Sequence, residues 1–279
     1  MSINTAIITA AGLGTRMIPY SKEVPKEMLP VIVNKNGETL VLPALHVIFE
    51  ALHTAGIRKY IIITGRGKRL IENYFTPDWS FVQHLYRIGR NRQAQLLENF
   101  YQKLEESRIA MINQPYPRGF GDAVLRAADF TGEAFIVHAG DVITYPSHTA
   151  NIQKLLSHWD THGPVTALLY DELQHPENYG VIIGQDMGSY IKVEKILEKP
   201  ENPPTNKAVV AIYAFTTAIF KALEQTRPEK GEHQLTDAIN ELIEQGHSIH
   251  AIKLQGKRLD LGTPQKYVQA LQYRTALPL

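Results

Sequence analysis

The chain has 279 residues, of which 44% are hydrophobic and 20% are charged, and its formal net charge at pH 7 is +1. This size and composition exclude a disordered chain, and the near-neutral charge gives no reason to expect a nucleic acid or a membrane as a partner. The absence of cysteine excludes disulfides and thiolate chemistry.

The N-terminal part of the chain predicts alternating strands and helices. An apolar strand over Ala6–Ala10 runs into a glycine-rich turn. Apolar residues then recur at helical spacing up to Leu52, the helix ends at Gly56, and a second strand follows over Tyr60–Thr64. Such a strand–helix–strand unit is typical of a mainly parallel sheet covered by helices.

Residues 66–108 interrupt this alternation with a stretch rich in Tyr, Arg and Gln. The helical spacing of apolar residues near its end predicts a helical insertion at the surface, and a lid or a subunit contact is the alternative. We expect three arginines of this stretch to lie on a solvated face rather than in a binding site, namely Arg87, Arg90 and Arg92.

The rest of the chain returns to strands and helices. Buried strands are predicted over Ala134–His138 and Pro164–Tyr170, with a helix between them. The segments that follow are three short strands (Tyr179–Gly184, Tyr190–Glu198 and Ala208–Phe215), a helix beginning near Glu232, a strand over Ile249–Leu254 and a last helix beginning at Pro264 with Thr263 as its cap. We find no repeat and no linker, and therefore predict a single domain over residues 1–279.

The turn after the first strand is predicted to bind phosphate groups. Gly12 and Gly14 permit positive φ angles and a close approach of the backbone to an anion. Arg16 and Lys26 add positive charge near this turn. Because Met17 replaces the third glycine of a dinucleotide fingerprint and no P-loop motif occurs, a nucleoside triphosphate is favoured over a nicotinamide cofactor. A tight turn without a ligand is the alternative interpretation.

Several separated blocks of the sequence carry a family resemblance. They are Gly12-Leu13-Gly14-Thr15-Arg16-Met17, Pro25-Lys26-Glu27-Met28-Leu29-Pro30, Gln114 with Gly119-Phe120-Gly121-Asp122-Ala123-Val124, Asp141, Tyr179-Gly180-Val181, Glu198-Lys199-Pro200, Gln234-Leu235-Thr236-Asp237-Ala238-Ile239 and Asp260. In this order, over most of the chain, they resemble the sugar-1-phosphate nucleotidyltransferases and, within them, the prokaryotic UTP–glucose-1-phosphate uridylyltransferases. The resemblance implies an α/β fold, a Rossmann-like three-layer sandwich with a mainly parallel mixed sheet and a small β-rich extension on the sugar side. It also implies a nucleotide-binding half at about 1–145 and a sugar-binding and C-terminal half at about 146–279.

The resemblance implies transfer of a uridylyl group from UTP to glucose 1-phosphate, giving UDP-glucose and pyrophosphate. The nucleotide-binding residues are then Ala11, Gly12, Gly14, Thr15, Gln114 and Gly119, the sugar-binding residues are Gly180 and Glu198, and the catalytic cations are Arg16, Lys26 and Lys199. The metal ligands of the family correspond to Asp141 and Asp260. No general base is required, because a sugar phosphate is already ionised at neutral pH.

A divalent ion is expected because the reaction brings two phosphate-bearing anions together. Mg²⁺ held by carboxylates beside phosphates can neutralise this charge and align the attacking and leaving oxygens. Asp141 follows a predicted strand, and Asp260 lies between two leucines and before Gly262, so both suit strand ends. For each aspartate alone, a turn or a helix cap is the alternative interpretation.

Gln114 is our candidate for base recognition, because its amide complements the donor and acceptor edge of uracil. We expect Gly119 and Gly121 to leave room for the base. Thymine presents the same edge, so a preference for UTP over dTTP rests on the resemblance. The branch usually has Leu-Pro-Asp where this chain has Ala139-Gly140-Asp141, and a glycine in place of Ala211. These two departures leave the base and the hexose open.

The alternatives are a thymidylyltransferase that uses dTTP or another hexose 1-phosphate, and a non-catalytic regulator that binds sugar nucleotides. The presence of both aspartates, the two N-terminal cations and Lys199 favours the enzyme. The resemblance further implies a homodimer or homotetramer. The N-terminus lacks a signal-peptide pattern and no apolar run approaches roughly 18 residues, so we expect a cytoplasmic location.

Overall fold

The computed structural model describes residues 2–35, 37–228 and 231–276, the side chains of residues 275 and 276 excepted. Its strands are β1 (Thr5–Ala10), β2 (Pro30–Lys35), β3 (Glu38–Pro43), β4 (Lys59–Thr64), β5 (Arg108–Asn113), β6 (Ala134–Ala139), β7 (Val142–Tyr145), β8 (Thr166–Glu172), β9 (Gly180–Asp186), β10 (Ile191–Glu198), β11 (Lys207–Thr216), β12 (Ile249–Lys253), β13 (Lys257–Asp260) and β14 (Thr275–Ala276). Its α-helices are α1 (Ala44–Thr54), α2 (Arg69–Tyr74), α3 (Trp79–Arg87), α4 (Asn91–Glu105), α5 (Phe120–Leu125), α6 (His148–His162), α7 (Ala218–Gln225), α8 (Leu235–Glu244) and α9 (Pro264–Ala270). Short 3-10 helices lie at Thr15–Met17, Tyr20–Lys22, Lys26–Met28 and Ala128–Phe130. Within the described residues, none of the helices combines the length and the apolar character needed to cross a membrane.

The central sheet of the described residues has the strand order β5-β4-β1-β6-β11-β8-β12-β10-β9, and β11 also pairs with β9. The run β5, β4, β1 and β6 is parallel, as is the pair β8 and β12, whereas β10 and β11 are antiparallel to their neighbours. Most strands therefore point in one direction within a mixed sheet. This arrangement confirms the predicted α/β fold class.

Apolar side chains cover both faces of this sheet. Successive residues of a strand point to opposite faces, so that Ile7 and Ile8 of β1 belong to two different buried clusters. Helices α1 and α6 contribute to the cluster around Ile8, while α5, α7 and α8 contribute to the cluster around Ile7. The central strands are mainly apolar because they are buried on both sides, which is why they could be predicted from sequence.

The predicted long elements agree with the observed ones. The bounds of β1, β4, β6, β8, β9, β10, β11 and β12 lie within two residues of their predictions. Helix α9 begins at Pro264, and the hydroxyl of Thr263 accepts a hydrogen bond from the Lys266 N–H at 3.3 Å, which confirms the predicted cap. Helix α8 begins at Leu235 rather than near Glu232, because the backbone of His233 is bonded to Arg118 instead.

The stretch 66–108 forms α2, α3 and α4 before it enters β5, so the predicted helical insertion is confirmed. Arg87, Arg90 and Arg92 are exposed, as expected of a solvated face. Arg92 forms an ion pair with Glu38 of β3. A role of this stretch as a lid or subunit contact stays an alternative.

Several short strands were not predicted, and two of them place site residues. β7 begins directly after Asp141 and β13 ends at Asp260. The two strands pair in an antiparallel manner, with Asp260 opposite Val142. Four-residue strands give too few positions for a periodic pattern, so this pairing is visible only in three dimensions.

Candidate active site

The glycine-rich turn after β1 has the backbone conformation that its sequence predicts. Gly14 has a φ of 64° and precedes the 3-10 helix Thr15–Met17. The hydroxyl of Ser21 donates a 2.7 Å hydrogen bond to the Gly14 carbonyl. A Cβ atom at Gly12 would lie 3.6 Å from Cε of Lys26, so the lysine side chain passes close to the turn. The turn therefore combines free backbone space with a nearby positive charge.

A cavity of about 470 Å³ lies beside this turn, near the carboxyl ends of β1 and β6. It brings together eight predicted site residues, which are Ala11, Gly12, Gly14, Thr15, Lys26, Gln114, Gly119 and Asp141. Glu27 and Glu232 also line it. The edge formed by the carboxyl ends of parallel strands is the usual place for ligands in open α/β sheets. Their binding roles stay predictions.

Two lysine–carboxylate pairs contribute side chains to the lining of this cavity. Lys26 is paired with Asp141, and Glu27, which is only 1% exposed, is paired with Lys68 at 2.9 Å. Burial lowers the pKa of Lys26, but the charges of Asp141 and Glu27 outweigh it and hold that pKa above its ordinary value. Burial raises the pKa of Glu27 despite its lysine neighbours. A Cβ atom at Gly140 would lie 2.9 Å from Cγ of Glu27, so this glycine makes room for the buried carboxylate.

Both predicted metal ligands come together around Gly262. A Cβ atom on this glycine would lie 3.0 Å from Oδ1 of Asp260 and 3.7 Å from Oδ2 of Asp141. The same position is 3.1 Å from Nη2 of Arg16. The Leu261 N–H donates to the Asp141 carbonyl at 3.1 Å, which joins the ends of β7 and β13. Gly262 therefore keeps space open where two carboxylates and a guanidinium group converge.

Asp260 is held by groups from three segments. Its Oδ2 accepts hydrogen bonds from Nζ of Lys266 at 2.6 Å and from the Tyr179 hydroxyl at 3.2 Å, and its Oδ1 accepts from the Gly262 N–H at 2.8 Å. Burial raises the pKa of Asp260, but Lys266, Gly262 and Tyr179 together outweigh it and lower that pKa. The Tyr179 carbonyl also accepts a hydrogen bond from the Lys199 N–H at 3.1 Å, so Tyr179 links Asp260 to the predicted catalytic cation Lys199.

The donor set of Asp141 and Asp260 fits Mg²⁺. This ion commonly takes one or two carboxylates and completes its coordination with water and phosphate oxygens. Within the described residues, no group of three or more His, Asp and Glu side chains is placed to hold a metal by itself. Two carboxylates beside a phosphate-binding turn therefore suit a metal that shares its coordination with a bound phosphate.

The side-chain amide of Gln114 has a fixed orientation. Its Nε2 donates to Oδ2 of Asp122 at 2.7 Å and to the Gly119 carbonyl at 3.2 Å. Both amide hydrogens are used in this way, so Oε1 is the atom left to accept a hydrogen bond from a ligand. Asp122 is itself buried and lies 3.3 Å from the guanidinium of Arg126.

The glycines beside Gln114 pack against the chain's own backbone. Cβ atoms at Gly119 and Gly121 would each lie 2.8 Å from backbone atoms of His233. The Gly121 N–H donates to the His233 carbonyl at 2.8 Å. Both glycines are therefore needed for this packing, and the expectation that they leave room for the base stays a prediction. Gly119 still lines the cavity.

The predicted sugar-binding residues gather at the junction of β9 and β10. Glu198 pairs with Gly180 across the two strands, and its Oε2 accepts a 3.0 Å hydrogen bond from the Thr236 hydroxyl. Nζ of Lys199 lies 3.1 Å from Oε1 of Glu198. Lys199 also has a φ of 42°, a conformation that costs a non-glycine residue roughly 1–2 kcal/mol. Such strain is concentrated at functional sites.

Comparison with known proteins identifies the family. The model of the nucleotidyl transferase family matches residues 5–276. The chain belongs to this family. The nucleotidyl transferase is 35% identical over 270 residues to a UTP–glucose-1-phosphate uridylyltransferase of Streptococcus pyogenes, with 93% of this chain and 84% of that protein covered.

Two solved structures share the fold of this nucleotidyl transferase. A UDP-glucose pyrophosphorylase complexed with UDP-glucose has a TM-score of 0.84 and 28% identity, with 97% of each chain covered. The UTP-bound UGPase from Acinetobacter baumannii has a TM-score of 0.82 and 30% identity, with 97% of this chain and 92% of that chain covered. The similarity therefore spans both halves of the chain.

Three charged residues of the candidate site in the nucleotidyl transferase were not predicted from the sequence. Glu27 stands inside a block that we quoted, but its burial gives no sequence signal. Lys68 lies in the stretch predicted as a surface insertion, and Lys266 lies in the last helix. Neither lysine belongs to a recognised motif, so only the contacts with Glu27 and Asp260 reveal them.

Proposed function

We propose that this nucleotidyl transferase transfers a uridylyl group from UTP to glucose 1-phosphate, giving UDP-glucose and pyrophosphate. The observation that carries the proposal is the single cavity in which the glycine-rich turn, the Lys26–Asp141 pair and Gln114 meet. The relative from Streptococcus pyogenes bears the name of this activity, and the two similar structures are described with UDP-glucose and UTP. These names support the same substrates for this chain.

Base recognition is assigned to Oε1 of Gln114. Because Nε2 is committed to Asp122 and Gly119, the side chain offers an acceptor and not a donor to the base. The N3–H group of uracil can donate to this oxygen, whereas N3 of cytosine is an acceptor and would face it unfavourably. The fixed amide therefore favours UTP over CTP.

The phosphate groups are assigned to the cations of the turn. Arg16 and Lys26 bind the β- and γ-phosphates and stabilise the charge that grows on the departing pyrophosphate. Asp141 and Asp260 hold Mg²⁺, which when bound supplies neutralising charge between the two anions. The convergence of Arg16 and both carboxylates around Gly262 supports this division of roles.

Lys199 is proposed to hold the phosphate of the sugar. An oxygen of that phosphate forms a bond to the α-phosphorus of UTP while the bond from this phosphorus to the bridging oxygen breaks, and the electron pair leaves with pyrophosphate. The nucleophile is already ionised, so no protein group needs to remove a proton. Glu198, whose Oε2 accepts a hydrogen bond from Thr236, is assigned to accept hydrogen bonds from sugar hydroxyls.

The two departures from the family pattern leave the base and the hexose to experiment. A Cβ atom at Gly140 would lie 2.9 Å from both Cγ of Glu27 and the Thr9 carbonyl, so this glycine allows close packing at the end of β1. Ala211 is half-buried on β11 beside the register shift between Val210 and Tyr213, and it leaves the identity of the hexose to experiment.

The test is pyrophosphate release by the purified protein with Mg²⁺. UTP, dTTP, ATP, GTP and CTP are each paired with glucose, galactose and N-acetylglucosamine 1-phosphates, with a chelator and the Lys199→Met variant as negative controls. We expect the highest kcat/KM for UTP with glucose 1-phosphate and loss of activity with the chelator. Preference for dTTP would identify a thymidylyltransferase. Absence of turnover in a folded protein that still binds UDP-glucose would identify a regulator.

We also propose that the enzyme works in the cytoplasm and that it forms a homodimer or homotetramer, the assembly that the family resemblance implies. Sedimentation equilibrium gives the mass of the assembly directly, and the single-chain mass is 31.4 kDa. A monomer at all concentrations would overturn the proposed assembly and leave the proposed reaction untouched.

A further inference from the structure

Lys266 makes more contacts around the proposed metal ligand Asp260 than a lysine in an ordinary surface ion pair makes. Its Nζ lies 2.6 Å from Oδ2 of Asp260 and 2.6 Å from the Tyr179 hydroxyl, and 4.7 Å from the centre of the Tyr179 ring. The Asp260 side chain is only 16% exposed. One ammonium group therefore makes an ion pair, a hydrogen bond and a cation–π contact at a largely buried carboxylate.

The start of α9 fixes this lysine in place. The Thr263 hydroxyl caps the helix by accepting from the Lys266 N–H, and Pro264 occupies the first turn. The helix therefore begins just after Asp260 and directs the lysine back toward it. The Thr263 cap therefore helps to position the Lys266 side chain beside Asp260.

We propose that Lys266 is a competing cation for the metal ligand Asp260: its ammonium group occupies Oδ2 and thereby weakens the binding of a divalent ion to the protein. The inference rests on the proposed function, which gives Asp260 a metal to hold. A divalent ion that binds Oδ2 must displace the lysine, and an ion that binds Oδ1, the oxygen nearer Gly262, lies close to the positive charge of the lysine; either event is unfavourable.

The two lysine–aspartate pairs of the site differ in what can release them. Lys26 lines the cavity proposed to bind the nucleotide, where an incoming phosphate can pair with its ammonium group and thereby release Asp141. Lys266 lines a separate cavity of about 410 Å³ with Arg258 and Tyr273. Its side chain is 32% exposed, so it has room to swing into this space when Asp260 is taken by a metal. Asp260 is therefore the ligand whose availability Lys266 controls.

The test is the affinity of the nucleotide-free protein for Mn²⁺, measured by electron paramagnetic resonance of the free ion. Lys266→Met removes the charge, and we expect it to bind Mn²⁺ about tenfold or more tightly than the parent protein, because a unit positive charge is lost beside a partly buried ligand. Two controls should bind Mn²⁺ with the affinity of the parent protein. Lys266→Arg keeps the positive charge beside Asp260. Lys257→Met removes a different lysine of the same cavity, which lies near Tyr273. Adding Asp260→Asn to Lys266→Met should abolish the gain.

Unchanged or weaker Mn²⁺ binding by Lys266→Met would overturn the proposal, as would a gain that survives Asp260→Asn. Cooperative thermal unfolding verifies that each variant is folded, and Lys266→Gln, which keeps a polar end toward Tyr179, replaces Lys266→Met if that protein does not fold. The metal measurement needs no turnover. A protein with the expected Mn²⁺ pattern but no transferase activity would contradict the proposed function alone, and an active protein without the pattern would contradict the role of Lys266 alone.

Discussion

At the scale of single residues, the charges of the site are neutralised in pairs. Asp141 forms an ion pair with Lys26, and Asp260 forms one with Lys266. The two aspartate side chains are 15% and 16% exposed. A largely buried carboxylate without a partner would strongly destabilise the fold. The lysines therefore allow the two predicted metal ligands to lie close together, and in the proposed reaction substrate phosphates compete for Lys26.

Asp141→Asn tests the metal role, because it keeps the size of the side chain and removes its charge. We expect kcat/KM to fall at least about 100-fold, since a direct ligand costs more than the about 10–100-fold typical of its supporting partners. Pyrophosphate release across a Mg²⁺ titration measures the effect. Asp129→Asn, at an exposed position outside the cavity, is the matched control and should leave activity unchanged. Near-parental activity in Asp141→Asn would remove this residue from the mechanism.

Asp122→Ala tests the orientation of Gln114. Without the Asp122 carboxylate, the amide can turn and present Nε2 to the base, so we expect the ratio of kcat/KM for UTP to that for CTP to fall about tenfold or more. Arg126→Ala removes the other partner of Asp122 and should preserve the ratio. A ratio that does not change in Asp122→Ala would show that other groups read the base.

At the scale of elements, the site depends on loops that pack on glycines. His233 lies two residues before α8, and its backbone packs against Gly119 and Gly121 at the start of α5. Gly119 has a φ of 96°, an angle that residues with a side chain rarely adopt. Backbone packing between two loops therefore shapes one wall of the nucleotide cavity.

Gly119→Ala should lower the free energy of unfolding by about 2 kcal/mol or more, because the new methyl group meets the His233 backbone and the φ angle is strained. Gly132→Ala is the matched control: no heavy atom lies within 4 Å of its Cβ position and its φ is not positive, so the change should stay within about 0.5 kcal/mol. Urea unfolding measures both variants. Equal stability of the two proteins would contradict the observed packing.

At the scale of the whole molecule, buried histidines connect stability to pH. Burial lowers the pKa of His138 to about 4, and burial together with the charges of His162 and His250 lowers the pKa of His158 to about 4. Both are neutral in the folded protein near pH 5, whereas the unfolded chain binds protons below about pH 6.5. Since the unfolded state binds more protons, stability falls as pH falls from about 6.5 to about 4.

His158→Gln should reduce this pH dependence. The free energy of unfolding of the parent protein should fall between pH 7 and pH 4.5. His158 should account for on the order of 2 kcal/mol of this fall. Urea unfolding at both pH values gives the difference, which should be smaller in His158→Gln. His175→Gln changes a side chain that is 84% exposed and should keep the parental difference. The same difference in all three proteins would show that His158 does not contribute.

The candidate site was predictable where its residues stand in motifs and unpredictable where they do not. Gln114 and Asp141 were proposed from their blocks, and they share one cavity with the glycine-rich turn. Lys266 acts through a contact with Asp260 that links two positions on different elements. Whether Glu198 and Lys199 bind the sugar, and whether the chain works as a single domain with two functional halves, stay predictions.

The order of the main strands and helices could be predicted from the amino-acid sequence, because strands buried on both faces are mainly apolar. The family could be predicted as well, since separated blocks recur in a fixed order. The folded structure was needed to show which carboxylates meet, because Asp141 and Asp260 are joined by the pairing of β7 with β13, which is too short to leave a pattern. It also decided the partners of Gln114, Glu27 and Asp260, because hydrogen bonds and ion pairs between distant segments depend on packing that no local spacing encodes.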